Sequence, residues 1–222
     1  MLSRTFLVRA AGSAAARRLA GVALVAAATL PAASCSETVR TGNSPVYLTI
    51  TQLTAKSGDS GSASTKLSSD VCLHPNGQPD VTSCSVAEDV GTVTIVLGQR
   101  DITAPLSSNN LVTINRYRVV FVRADGRNTP GVDVPFAFDG GVTFTVGDSP
   151  TSASFVIVRA QAKVEPPLVS LANLGGSVAI STLAEVTFYG RDQVGSDVQV
   201  SGTISVNFAD WADEGGGGGS EG

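Results

Sequence analysis

From Val198 to Phe208 the chain alternates without a break, with Val198, Val200, Gly202, Ile204, Val206 and Phe208 interleaved with Gln199, Ser201, Thr203, Ser205 and Asn207. Successive side chains of a strand point to opposite faces, so this run puts its apolar residues on one side and predicts a half-buried antiparallel strand. Val46, Leu48 and Ile50 show the same period, as do Val93, Ile95 and Leu97, then Val134, Phe136 and Phe138, and, after Gly140-Gly141, Val142, Phe144 and Val146. Short alternating runs bounded by Gly, Pro, Asp and Asn predict an all-β sandwich. No stretch of residues 46–208 carries a helical period, and Leu168–Leu174 lies too close to Pro166-Pro167 to form more than a turn. The expectation is about eight or nine antiparallel strands and no helix beyond the amino-terminal segment.

Two runs break the alternation. In residues 111–123, Val112 and Ile114 have one parity and Tyr117, Val119 and Phe121 the other. A β-bulge or bend near Asn115-Arg116 would return all five to the core. In residues 153–165, Phe155-Val-Ile-Val158 is apolar on both parities, after which Ala160, Ala162 and Val164 alternate with Arg159, Gln161 and Lys163. That pattern predicts a strand central in its first half and solvated on one face in its second.

The two ends differ from this body. Residues 1–34 carry Arg4, Arg9, Arg17 and Arg18 and no acidic residue, and they include the apolar run Leu19–Leu30 followed by Pro31. The run is shorter than the roughly 20 residues that span a bilayer, so the segment reads as a signal peptide. Ala32-Ala33-Ser34-Cys35-Ser36 follows. Small residues leading into Cys35 resemble the lipobox of bacterial lipoproteins, with Ala32 where that family prefers Leu. The resemblance implies cleavage before Cys35, a diacylglycerol on its sulfur and acylation of the new amino terminus; Ser36 fits release to the outer membrane. The alternative is ordinary cleavage after an Ala-x-Ala-like site, leaving Cys35 unmodified. Residues 35–45 read as a tether, and residues 209–222, acidic and then Gly-rich with Gly215–Gly219, read as a flexible tail.

Of 222 residues, 42% are hydrophobic, enough for one good core, which excludes disorder throughout. Without the four arginines of residues 1–34, 11 basic residues face 19 acidic ones, a net charge of −8. That charge argues against a nucleic-acid partner and against a polybasic grip on lipid, so any membrane attachment rests on Cys35. Cys72 and Cys84 remain, and outside a reducing compartment they pair most simply in one disulfide. They fall in residues 55–90, a Ser-rich insertion with eight serines that interrupts the sandwich, residues 46–208. A single His and no Cys cluster leave little room for a zinc site, and no cofactor or metal is expected.

Tyr117-Arg-Val-Val-Phe-Val-Arg-Ala-Asp-Gly-Arg-Asn-Thr-Pro-Gly-Val-Asp-Val-Pro-Phe136 and Val186-Thr-Phe-Tyr-Gly-Arg-Asp-Gln-Val-Gly-Ser-Asp-Val198 resemble pieces of bacterial immunoglobulin-like domains. The resemblance implies an Ig-like sandwich, and its motifs are turn chemistry with no catalytic content. Gly58-Asp59-Ser60-Gly61 copies a serine-protease nucleophile motif, but the lone His74 lies downstream of it in a Ser-rich loop, and no catalytic residue is assigned. His74 sits among turn residues and is expected to be an exposed loop histidine. Asp192 and Asp197 bracket the last hairpin turn near Asp125-Gly-Arg-Asn128 and are candidate calcium ligands, although Asp and Asn are also turn formers. Trp211 is expected to cap one end of the sandwich. The sequence thus reads as a lipid-anchored protein of the bacterial envelope, on the outer membrane, displaying a non-enzymatic binding or structural module for an envelope protein or glycan. The alternative is a secreted carbohydrate-binding or hydrolytic domain without the anchor.

Overall fold

A computed structural model describes residues 44–58, 62–74, 84–103 and 107–211, all within the compact unit Asn43–Gly222. The signal peptide, Cys35, Ser36, Ser60 and the glycine-rich tail lie outside the described residues. The body is all-β and built as a sandwich of two sheets. The strands are β1 (Val46–Lys56), β2 (Lys66–Asp70), β3 (Asp89–Gln99), β4 (Val112–Val122), β5 (Phe138–Val146), β6 (Thr151–Val158), β7 (Ile180–Asp192) and β8 (Asp197–Ala209). One sheet has the order β1-β3-β6 and the other β2-β8-β7-β4-β5.

Alternation does what period two demands. Along β7 every second residue from Ile180 to Asp192 is buried. The register of β4 slips between Ile114 and Arg116 against both β5 and β7. The bulge brings Val112, Ile114, Tyr117, Val119 and Phe121 all into the core. There the sheets meet through aromatic rings: Tyr117 packs edge-on to Phe155 at 5.1 Å, and Phe155 stands at 90° to Phe188 at 5.2 Å. Edge-to-face pairs of this kind add about 0.5–1.5 kcal/mol beyond the area they bury. Gly140 is the complement of this cluster, since a Cβ there would run into the Tyr117 ring. The Gly140-Gly141 pair therefore lies inside β5 and does not divide two strands.

Several expectations need correction. The sandwich is not wholly antiparallel, because β2 runs parallel to β8. A parallel pair cannot be joined by a hairpin, and here most of the domain lies between its two strands; the 55–90 segment carries the chain from β1 to β2 in the other sheet and back to β3. That segment is thus partly regular: β1 extends through Lys56, and β2 forms the edge of the five-stranded sheet. Residues 153–165 do not form one strand. Strand β6 lies at a sheet edge and stops at Val158, and Ala160–Lys163 forms a short helical turn, α1, followed by a turn of 3-10 helix at Leu168–Leu171.

The reason for that break is Lys163. Its ammonium turns inward to the Asp89 carboxylate, Nζ to Oδ1 2.8 Å, with both side chains almost wholly buried. Asp89 also accepts hydrogen bonds from Ser69 Oγ at 2.6 Å and from the Gly58 amide at 3.0 Å. Burial pushes the Asp89 carboxyl above its ordinary value, against the pull of Lys163, Ser69 and Gly58. A buried pair of this kind contributes little net stability over an apolar substitute, but removing one partner strands the other.

Lys163→Met is therefore expected to cost about 3–5 kcal/mol in urea unfolding, whereas the double variant with Asp89→Leu should recover a large part of that loss. A second prediction concerns Tyr117, whose hydroxyl accepts a hydrogen bond from the Val156 amide at 3.2 Å across the sheets. Burial pushes this phenol above its ordinary 10.0. The folded state thus favours the neutral phenol, and the stabilisation is complete below pH 10 and lost as pH rises through the folded-state value. Tyr117→Phe should cost about 1–3 kcal/mol near neutrality by leaving the amide unpaired. The gap to the wild type should narrow above pH 10, as read by urea titrations across that range.

Candidate functional site

The β4 bulge that fills the core also shapes the outer face of the larger sheet. With one extra residue in the strand, Asn115 and Arg116 both point to solvent. Beside them on β7, Tyr189 and Arg191 lie on the same face, with the buried Gly190 between them, and Asp197 and Gln199 continue the face on β8. Together these residues line an open groove of about 620 Å³. A Cβ on Gly190 would sit 2.5 Å from the Thr113 carbonyl oxygen and 2.9 Å from Ile114 Cδ1, so the close approach of β7 to the bulge requires glycine.

Ion pairs fix the orientation of the groove's cations. Arg116 and Arg118 both donate to Asp139, at 3.2 and 2.6 Å. Arg116 also lays its guanidinium over the Tyr189 ring, 4.1 Å from the centroid, a stacking that favours a planar cation. Arg191 donates from Nε to Asp197 at 2.7 Å. Exposed pairs of this sort add little stability, at most about 1 kcal/mol each. They hold the side chains in place, and a guanidinium with five N–H donors keeps others for a ligand. Asn115 and Gln199 add amides that both donate and accept. Among the described residues Asp197 is the single carboxylate lining the groove, and it is already engaged by Arg191.

The residues singled out from the sequence fall elsewhere or play other parts. Asp192 and Asp197 take opposite faces of the hairpin. Asp192 is buried and accepts from the Val194 and Ser196 amides at 3.1 and 2.8 Å, which makes it the organiser of the turn. Asp125 is held by Arg123 and Arg127, whose hydrogen bonds keep its carboxyl well below the usual range. Asn128 accepts from the Arg123 amide at 2.6 Å. Asp192, Asp125 and Asn128 each serve their own turn. Cys72 and Cys84 form a disulfide, with Cα atoms 5.2 Å apart. Trp211 is half-buried, its indole donating to the Asn207 carbonyl at 3.4 Å. His74 is not exposed: it is 8% accessible, and its Nε2 lies 3.3 Å from the buried Asp210 carboxylate. The local turn residues gave no hint of this, because Asp210 arrives from beyond the last strand.

Arg116, Tyr189, Arg191 and Gln199 went unmarked by sequence reasoning. The signal was present as an Arg, Tyr and Gln concentration on the polar side of alternating strands, next to an inferred bulge. Comparison with known protein families, with curated proteins and with solved structures gave no match. Gly190→Ala is expected to cost about 1–3 kcal/mol by overpacking and to reduce the groove's order, measurable as a lower unfolding midpoint and as chemical-shift changes at Asn115 and Arg116.

Proposed function

We propose that this chain is a lipid-anchored protein of the bacterial cell envelope that displays an Ig-like sandwich as a binding module for an envelope glycan. The groove carries the binding half of this reading. Its donors and acceptors are those that sugar hydroxyls require, on a rigid sheet backed by a packed core, and Tyr189 supplies an aromatic surface. Binding is favoured over hydrolysis because two-carboxylate chemistry needs a second acid, and the groove offers only the Arg191-bound Asp197. The anchoring half is supported by the signal-peptide pattern and by the resemblance of Cys35 with Ser36 to the lipoprotein pattern, which fits release to the outer membrane. Two or three acyl chains give stable attachment where one gives only marginal binding.

The two halves are separable by experiment. Mass spectrometry of the mature native chain should find Cys35 as the first residue, bearing a diacylglyceryl group, and Cys35→Ala should leave the membrane fraction. An unacylated mature terminus elsewhere would leave the secreted alternative. On an array of envelope glycans, Tyr189→Ala with Arg191→Ala should lose binding by at least about tenfold with the fold intact, roughly the effect of removing one or two charged hydrogen bonds. Retained binding by that variant would remove the groove from the account.

A further inference from the structure

At the end of the sandwich where β2 and β8 finish lies a second group of side chains, apart from the groove. Cys72, His74 and Asp210 each offer a ligand atom within 4.8 Å of the other two, and all three are buried. The Cys84 sulfur is bonded to that of Cys72, so a fourth donor adjoins the other three. Asp210 is already oriented: its Oδ2 accepts from the Gly175 amide at 3.1 Å while Oδ1 faces His74 Nε2 at 3.3 Å. Outer hydrogen bonds that fix a ligand's direction in this way are a regular part of metal sites.

We propose that reduction of the Cys72–Cys84 disulfide turns this cluster into a zinc site with the two thiolates, His74 and Asp210 as ligands. The donor set decides the ion, since two sulfurs, one imidazole and one carboxylate suit tetrahedral Zn2+ and not the all-oxygen preference of Mg2+ or Ca2+. While the disulfide is intact, only His74 and Asp210 remain as good donors, fewer than a tight site uses. A dithiol reductant breaks the S–S bond, supplying two electrons and two protons and leaving as its own disulfide. Zn2+ then displaces the two thiol protons, which pass to solvent. The same segments, the chain after β2, the chain before β3 and the chain after β8, are fastened in either state, by the sulfur–sulfur bond and the His74–Asp210 pair in one and by the metal in the other. This inference does not depend on the envelope or glycan reading.

The test titrates Co2+, as a spectroscopic stand-in, into the full chain before and after reduction by a phosphine, with circular dichroism followed throughout. The phosphine takes oxygen from water to become its oxide, and the two water protons end on the sulfurs. The reduced chain should take up one Co2+ with the absorption of a tetrahedral thiolate complex, and Zn2+ should displace it. The oxidised chain should bind at least about tenfold more weakly, as should reduced His74→Ala and Asp210→Asn. If reduction alone unfolds the chain, Zn2+ should restore the β-sheet spectrum. A reduced chain that takes up no Co2+, that Zn2+ fails to refold, or that binds the ion equally well without His74 and Asp210 overturns the proposal.

Discussion

A buried carboxylate governs how this sandwich closes. Asp89 begins β3, and its two oxygens collect Lys163 from α1, Ser69 from β2 and the Gly58 amide from the chain after β1. Three segments are bound to one acid on a fourth. An ionised group in such a place is tolerated only when its lone pairs are filled, so each donor constrains the position of its own segment. This explains why β6 ends where it does. Past Val158 the chain folds into a helical turn, and that turn carries the ammonium back to Asp89 in the interior.

The opposite requirement operates in β4. Its apolar residues change parity, and only an extra residue puts both halves of the strand on the core side. The same residue exposes Asn115 beside Arg116 and opens the outer surface of the sheet. Core packing and the groove are thus one event: the Tyr117 ring needs Gly140 on one neighbour, and the bulge needs Gly190 on the other. A scaffold fixed at so many points holds its polar face still, which reduces the ordering cost that a ligand must otherwise meet.

Those features of the fold that depend on period two were legible in the sequence. The alternation of β8, the bulge near Asn115 and the pairing of Cys72 with Cys84 follow from parity and from redox chemistry, both of which are local. What escaped depends on who meets whom. Ala160, Ala162 and Val164 alternate as a strand would, and only the arrival of Asp89 makes a helical turn the better solution. His74 lies in a stretch of turn formers, and nothing within ten residues of it announces Asp210. A count of histidines and cysteines likewise says nothing of a carboxylate that joins them from the far end of the chain. Strand β2 was hidden for a related reason: its five residues, Lys66–Asp70, include two serines and an aspartate and take their strand character from the β8 edge.

That short strand shows how polar groups do work that its ladder cannot. Parallel pairing is slightly weaker per residue than antiparallel pairing, and five residues form few bonds. Strand β2 has side-chain fastenings in compensation. Ser69 donates inward to Asp89, while Asp70 accepts from the Trp211 and Cys72 amides at 3.2 and 3.1 Å. The disulfide and the His74–Asp210 pair then secure the chain just beyond it. An exposed edge strand is a template for wrong pairing, and a short strand tied down at its end by side chains presents little template. The concentration of buried polar groups at this one end of the sandwich thus follows from placing a weakly paired strand at the sheet's edge. Apolar contacts alone would hold it without fixing its register.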